Sequence, residues 1–194
     1  VETKNYNAIY IKGFSLGGNM ALKYLGETTD IPVAIKGAIA VSVPCNLHSS
    51  LKQLLQPKNR LYASRFKKHL IDKLIIKPKL FPDKISDTDI KNIKTLKDFD
   101  DIYTSKAHGF QNAIDYYTKS SCLQFLPKIN IPTLIINSQN DSFLGPECYP
   151  YKEAKTNSKV YLETPKHGGH VGFYGIENTT YTEKRAINFL NELF

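Results

Sequence analysis

Ser15, Asp141 and His170 have the types and surroundings that covalent catalysis requires. A serine hydroxyl is a weak nucleophile until an imidazole takes its proton, and the imidazole needs an anion to fix its tautomer and steady its charged form. Ser15 lies in Gly13-Phe14-Ser15-Leu16-Gly17, with the apolar run Ile9, Tyr10, Ile11 before it and a helical pattern after it. A serine pinned on a sharp strand-to-helix turn holds its hydroxyl clear of the backbone. Gly13 and Gly17 are read as the small residues that let the flanking chains close that turn. The N–H of Leu16, at the helix start, is then the natural donor to an oxyanion.

Each partner has rivals. His167 and His170 share one glycine-rich loop, and His170 is chosen because Gly169 and Gly172 leave its backbone freer. His167 becomes a neighbour able to hydrogen-bond in the site. Asp141 follows an apolar run, which sets it at the carboxyl edge of a parallel sheet, where open α/β sheets bind ligands. Asp100, Asp101 and Asp115 fall in helical stretches, where exposed carboxylates are the default. His48, His69 and His108 are assigned to helices or loops without a chemical role. His108-Gly109 looks like an oxyanion-loop dipeptide, but it follows the serine instead of preceding it. Cys45, Cys122 and Cys148 are scattered and cannot all pair, so they read as packing thiols of a reducing compartment. No histidine pair has metal-ligand spacing, and neither a metal nor a cofactor is expected.

These residues need strands and helices to hold them. Strands are expected from Ile9, at residues 35–43, at 133–137 and at 160–163, each a short apolar run bounded by turn residues. After the serine, Met20, Ala21, Tyr24 and Leu25 recur at helical spacing, with Gly26 as a natural stop. Strand, helix, strand implies a right-handed crossover between parallel neighbours. From Asn46 the period changes. Helices are expected at 49–55, 61–76 and 87–96 and through Phe110, Ala113, Ile114, Tyr117 and Leu123. Tyr62, Phe66, Leu70 and Leu74 form an apolar stripe, Pro78 and Pro82 break the chain after it, and Ser86 with Asp89 resembles a capping box. A last helix is expected at 182–194, its apolar face made of Ala186, Phe189, Leu190 and Leu193. The block 46–126 has no strand pattern and reads as a helical cap inserted into a core formed by 1–45 and 127–194.

The 194 residues are 41% hydrophobic and 23% charged, ordinary values for a soluble globular protein with one core and an insertion. No apolar run reaches transmembrane length. The net charge of +8 is uneven: +1 over residues 1–45, +7 over 46–126 and zero over 127–194. Such a basic block can attract nucleic acid, anionic lipid or acidic substrates. With no nucleic-acid motif beside it, nucleic acid is not expected as a partner. A solvated lysine-rich surface is the first expectation, and a weak contact with anionic lipid the second. Met20 is the only methionine and Val1 sits just ahead of a core strand, so the sequence is expected to be the back portion of a longer, cytoplasmic protein.

The order serine, aspartate, histidine, each just after a strand, is that of the α/β-hydrolase triad. The sequence resembles the YheT-like branch of that superfamily, which also includes eukaryotic lipid-acting esterases. The resemblance is carried by Gly13-Phe-Ser-Leu-Gly-Gly-Asn19, Phe99-Asp-Asp101, His108-Gly-Phe110, Asp115-Tyr-Tyr117, Phe125-Leu-Pro127, Pro132-Thr-Leu-Ile-Ile136 and Gly168-Gly-His-Val-Gly-Phe173. It implies an α/β-hydrolase fold, mostly parallel, with Ser15 as nucleophile and His170 as base. Where the family has two adjacent acids and a proline, this sequence has Asn140-Asp141-Ser142, which leaves Asp141 as the acid. The family also begins with several strands and a His-Gly loop ahead of the nucleophile, which this sequence lacks. The implied activity is that of a serine carboxylic-ester hydrolase, esterase- or lipase-like, acting on small acyl esters through an acyl-enzyme. The alternative is an inactive remnant of such a fold, serving as a binding module or without function.

Overall fold

A computed structural model describes residues 6–80, 85–174 and 179–193. Pro82 and Phe194, named above for a break and a helix end, lie outside those residues. Four strands, β1 (Ile9–Phe14), β2 (Ile35–Val41), β3 (Thr133–Ile136) and β4 (Val160–Glu163), form one parallel sheet in sequence order. The register sets Phe14 opposite Val41, Val41 opposite Ile136 and Ile136 opposite Glu163. All four strands therefore end level, and the loops carrying Ser15, Asp141 and His170 leave from one rim.

The side chains alternate across the sheet, and both faces are covered. Ala38, Ala40 and Ile135 pack with Leu22, Leu25 and Leu126 on one face, while Ile39, Val41, Leu134 and Ile136 pack with Ala186 and Phe189 on the other. A sheet buried on both sides reads as continuous apolar runs, which is why the strands were visible in the sequence. The first face is covered by α1 (Leu16–Glu27) and a 3-10 segment, Cys122–Lys128; the second by the last helix, Tyr181–Glu192.

Two expectations for α1 are corrected. Its buried face is Gly18, Asn19, Leu22, Leu25 and Gly26, whereas Met20 is 65% exposed and lines the cavity described below. Gly26 does not stop the helix, which continues to Glu27; instead a Cβ there would lie 2.2 Å from the carbonyl oxygen of Phe125. Helix and 3-10 segment touch through that gap. β2 also ends earlier than expected, at Val41, because Ser42 takes a positive φ of 55°.

Between β2 and β3 the principal helices are α2 (Leu47–Leu54), α3 (Arg60–Leu74), α4 (Asp87–Asn92), α5 (Leu96–Phe99) and α6 (Ala113–Ser120). No strand occurs among the described residues of 46–126. Ser86 and Asp89 make the expected capping box. The single helix expected at 87–96 is broken, because Ile93 is extended and Thr95 begins a new helix with its own capping box to Asp98. From Phe99 the chain runs on as a wider π-helical turn, Asp100–Thr104. These helices have small cores of their own, one formed by Leu74, Ile85, Ile93 and Phe99, another by Leu47, Leu51, Leu96, Ala113 and Tyr117. The two ends of the block are stitched together: Leu123 N–H donates to Cys45 O (3.1 Å) and Leu47 N–H to Ser121 Oγ (2.9 Å). After β3 comes a helix without periodic apolar residues, α7 (Tyr151–Thr156), which the sequence pattern did not reveal.

Candidate active site

The backbone fixes Ser15 before its side chain does anything. Its N–H donates to Val41 O (2.8 Å), continuing the β1–β2 ladder by one bond, and its φ of 50° then turns the chain into α1. A positive φ on a non-glycine residue costs on the order of 1–3 kcal/mol and persists only where the surroundings enforce it. Gly13 is the enforcer: a Cβ on it would sit 2.6 Å from Gly17 O and 2.8 Å from Gly18 Cα. Gly17, expected to share that duty, has open space around it, and the tight position is Gly18, where a Cβ would lie 2.7 Å from Val43 Cγ2. The N–H groups of the first turn of α1, Leu16 included, have no carbonyl partner within the helix and stand at its positive end.

His170, on the loop after β4, reaches Ser15 across the rim, and Asp141, after β3, meets His170. His170 Nε2 lies 2.8 Å from Ser15 Oγ, and His170 Nδ1 lies 2.8 Å from Asp141 Oδ2. A carboxylate only accepts, so Nδ1 carries the proton and the serine O–H donates to Nε2. Asp141 has a fully buried side chain, and its other oxygen accepts from Phe143 N–H (2.9 Å). The Phe143 ring lies against the imidazole, centroids 4.5 Å apart. His167 is exposed on the same loop and is not among the residues lining the cavity described below, so the ring beside His170 is Phe143.

Several residues hold this arrangement to which the sequence reading gave no role. Asn140 Oδ1 accepts from Gly169 N–H (2.9 Å), and Ser138 Oγ donates to Gly169 O (2.7 Å), clamping the loop just before His170. Tyr149, its hydroxyl pushed up to about 12 by burial, donates to Ser138 O (2.7 Å). Buried Asn137 accepts from Val43 N–H (2.7 Å) and donates to Val43 O and Cys148 O, joining the rims of β2 and β3. Asn19, one turn after Ser15, donates to Ser120 O and accepts from Cys122 N–H, both at 2.8 Å. An asparagine that both donates and accepts across the fold resembles any other buried amide in sequence, so only the coordinates reveal the set.

A cavity of about 840 Å³ opens over Ser15 and His170, a volume suited to a drug-sized or lipid-sized molecule. Leu51, Phe66, Leu70 and Phe143 line it, as does His108, to which the sequence assigned no such place. The Tyr62 and Phe66 rings meet Phe143 edge-on, so the α3 stripe hangs over the imidazole. A second hollow, about 450 Å³ beside β4, contains none of these residues.

Asp100 also lines the large cavity, contrary to its expected place as an exposed helical carboxylate. Tyr117 O–H donates to its Oδ2 (2.6 Å) and Thr104 O–H to its Oδ1 (2.7 Å). Burial raises its carboxyl above the usual range, and those two hydrogen bonds oppose the rise. Asp101, next in sequence, behaves differently. Burial acts to raise its carboxyl too, but the Lys97 ammonium and the Ala113 N–H (2.7 Å) hold it below the usual range. The three cysteines are free and buried. The Cys45 thiol is pushed up by its Cys122 contact and by burial, and burial pushes the Cys148 thiol up to about 12. Thiols held that high are not reactive nucleophiles. Among the described residues, no three His, Cys, Asp or Glu side chains gather as a metal site, and no helix is long and apolar enough to cross a membrane.

Residues 1–175 match the family described as alpha/beta hydrolase fold, and the chain belongs to that family. Within it, the sequence is 35% identical over 168 residues to the Escherichia coli (strain K12) protein YheT, whose name is that of an esterase; the match covers 84% of this chain and 48% of YheT. It is 28% identical over 217 residues to human monoacylglycerol lipase ABHD2, covering 99% of this chain and 50% of the lipase. Among solved structures, the Pyrococcus furiosus esterase Pf2001 superposes with a TM-score of 0.53 at 18% identity, over 98% of this chain and 57% of that one, a likeness of fold. The chain spans about half the length of the curated relatives it matches.

Proposed function

We propose that this chain carries the catalytic centre of a serine carboxylic-ester hydrolase, with Ser15, His170 and Asp141 as its triad. The observation that carries the reading is the pair of 2.8 Å contacts joining Ser15 to His170 and His170 to Asp141. Ser15 Oγ attacks the ester carbonyl as its proton passes to His170 Nε2, and Asp141 steadies the imidazolium through Nδ1–H. The oxyanion forms beside the Leu16 N–H, already aimed by the start of α1. Collapse of the tetrahedral intermediate expels the alcohol, protonated by His170, and leaves an acyl-serine. Water, deprotonated by the same imidazole, attacks that acyl group, and the acid departs as the proton returns to Ser15.

The helices of 46–126 serve as a cap over the rim, and the apolar part of the cavity takes the acyl chain. The names of the relatives, an esterase and a monoacylglycerol lipase, support ester substrates with a lipid-like acyl group. The basic surface of the cap supports a weak contact with anionic lipid, and the three buried free thiols support a reducing compartment such as the cytoplasm.

A fluorophosphonate probe tests the reading, because it bonds only to an activated serine. Ser15 is expected to be labelled, and Ser15→Ala is expected to abolish labelling and lower hydrolysis of p-nitrophenyl butyrate by about 10⁴- to 10⁶-fold. Absence of labelling in the unsubstituted protein would favour a non-catalytic binding module instead.

A further inference from the structure

The corner between α2 and α3 holds apolar side chains out into solvent. Leu61 is 81% exposed, and Leu55 and Tyr62 are exposed beside it in sequence. The backbone beneath them is pinned. Buried Asn59, at the end of the 3-10 turn Pro57–Asn59, donates to Gln53 O (2.9 Å) and to Ser142 O (2.7 Å), and accepts from Ser142 Oγ (2.8 Å). Leucines displayed on a fixed corner add nothing to the core, and grouped exposed apolar residues mark contact surfaces.

The same corner is basic. Residues 52–79 contain nine Lys or Arg and one Asp, so this stretch alone carries a charge equal to the chain's net +8. Lys58, Arg60, Arg65 and Lys68 are exposed and enter no ion pair among the described residues. Arg65 and Lys68 lie four and seven residues after Leu61, on the same face of α3. An apolar track leads inward from here. The Tyr62 and Phe66 rings meet Phe143 at 5.1 and 5.9 Å, Phe66 lines the cavity, and Phe143 lies against His170.

One class of partner suits both features. Nucleic acid rewards the charges but offers exposed leucines nothing to enter. The cores of protein interfaces are depleted of lysine. The boundary of an anionic bilayer accepts all of them: leucines enter the acyl region, tyrosine sits at headgroup level, and Lys and Arg stems reach back to the phosphates.

We propose that the α2–α3 corner is a membrane-docking surface that inserts Leu55 and Leu61 into an anionic bilayer, with Tyr62 at its boundary and the Phe66 end of the cavity toward the lipid. This rests on the reading of the basic cap surface as a lipid contact. It adds the face that docks and the apolar side chains that enter.

The chain has no tryptophan, so Leu61→Trp provides a single reporter. Its emission is expected to shift to the blue with mixed phosphatidylserine–phosphatidylcholine vesicles and to be quenched when the phosphatidylcholine is brominated. If that variant fails to fold by circular dichroism, Leu55→Trp is read in the same way. Leu55→Gln with Leu61→Gln keeps the net charge and is expected to weaken sedimentation with the mixed vesicles about 10-fold or more. Hydrolysis of p-nitrophenyl butyrate should be unchanged, because neither leucine lines the cavity. Equal binding to phosphatidylcholine alone, no binding at all, or no blue shift in the vesicle-bound protein overturns the proposal. Sedimentation lost on charge reversal of Arg65 and Lys68 but unmoved by the leucine substitutions also overturns it, and leaves the basic contact alone standing. Vesicle insertion without fluorophosphonate labelling would sink the catalytic reading and uphold the docking surface.

Discussion

The floor and the roof of the cavity are made by different means. The floor is the rim of the sheet, where register alone brings the ends of β1, β2, β3 and β4 level. Ser15 is set there by a ladder hydrogen bond and two crowded glycines, and His170 by a loop clamped through the Gly169 backbone. The roof depends on side chains. Thr95 caps α5, Asp101 tethers α6, and small clusters of Leu, Ile and Phe fill the gaps between helices. A floor fixed by backbone suits chemistry that needs sub-ångström placement, and a roof fixed by side chains suits recognition, which must differ between substrates.

The contrast can be broken at three points. The largest effect is expected on the floor: Asp141→Asn keeps the shape but removes the anion that orients His170. Hydrolysis of p-nitrophenyl butyrate should fall about 10³- to 10⁴-fold with the melting temperature little changed. A variant that retains activity would show that the rim geometry is not what drives the reaction. On the roof, Leu74→Ala empties a site only 1% exposed and should cost about 2–5 kcal/mol in denaturant unfolding, while Ser15 is still labelled below the melting temperature. Loss of labelling at low temperature would mean the two regions are not separable in this way. The smallest effect concerns the outer surface. Arg65 and Lys68 are exposed on α3, whereas Lys67 Nζ is occupied by Lys94 O at 2.8 Å. Arg65→Glu with Lys68→Glu should weaken sedimentation with phosphatidylserine vesicles several-fold, at roughly 1 kcal/mol per basic residue near an anionic surface. Unchanged sedimentation would leave these charges as a solvated surface.

The same contrast decides what could be read in advance. The strands, the turn at Ser15 and the places of Ser15, Asp141 and His170 just past strand ends are legible, because doubly buried strands and a glycine-bounded turn leave local patterns. β4 occupies the residues expected, and the last helix, Tyr181–Glu192, starts one residue before the expected range. In the roof, α2, α3 and α6 lie close to the helices expected, and the Ser86 capping box forms as read, because periodic apolar stripes and caps are local signals. The break before Thr95 was missed because Ile90, Ile93 and Leu96 keep apolar spacing across it. α7 was missed because Tyr151–Thr156 has no apolar face to detect. Asp100 and Asp101 are identical in type and adjacent, and only the direction each side chain takes separates a cavity wall from a helix tether.

The hydrogen bonds at Cys45, Leu47, Ser121 and Leu123 pinch the chain where the helical block leaves the sheet and where it returns. Whatever length of polypeptide lies between these points, its two stems meet at one knot, and the entropy of closing a loop grows only slowly with its size. A longer, shorter or differently shaped set of helices grafted onto the same stems is therefore expected to change what the hollow admits while Ser15 keeps its position.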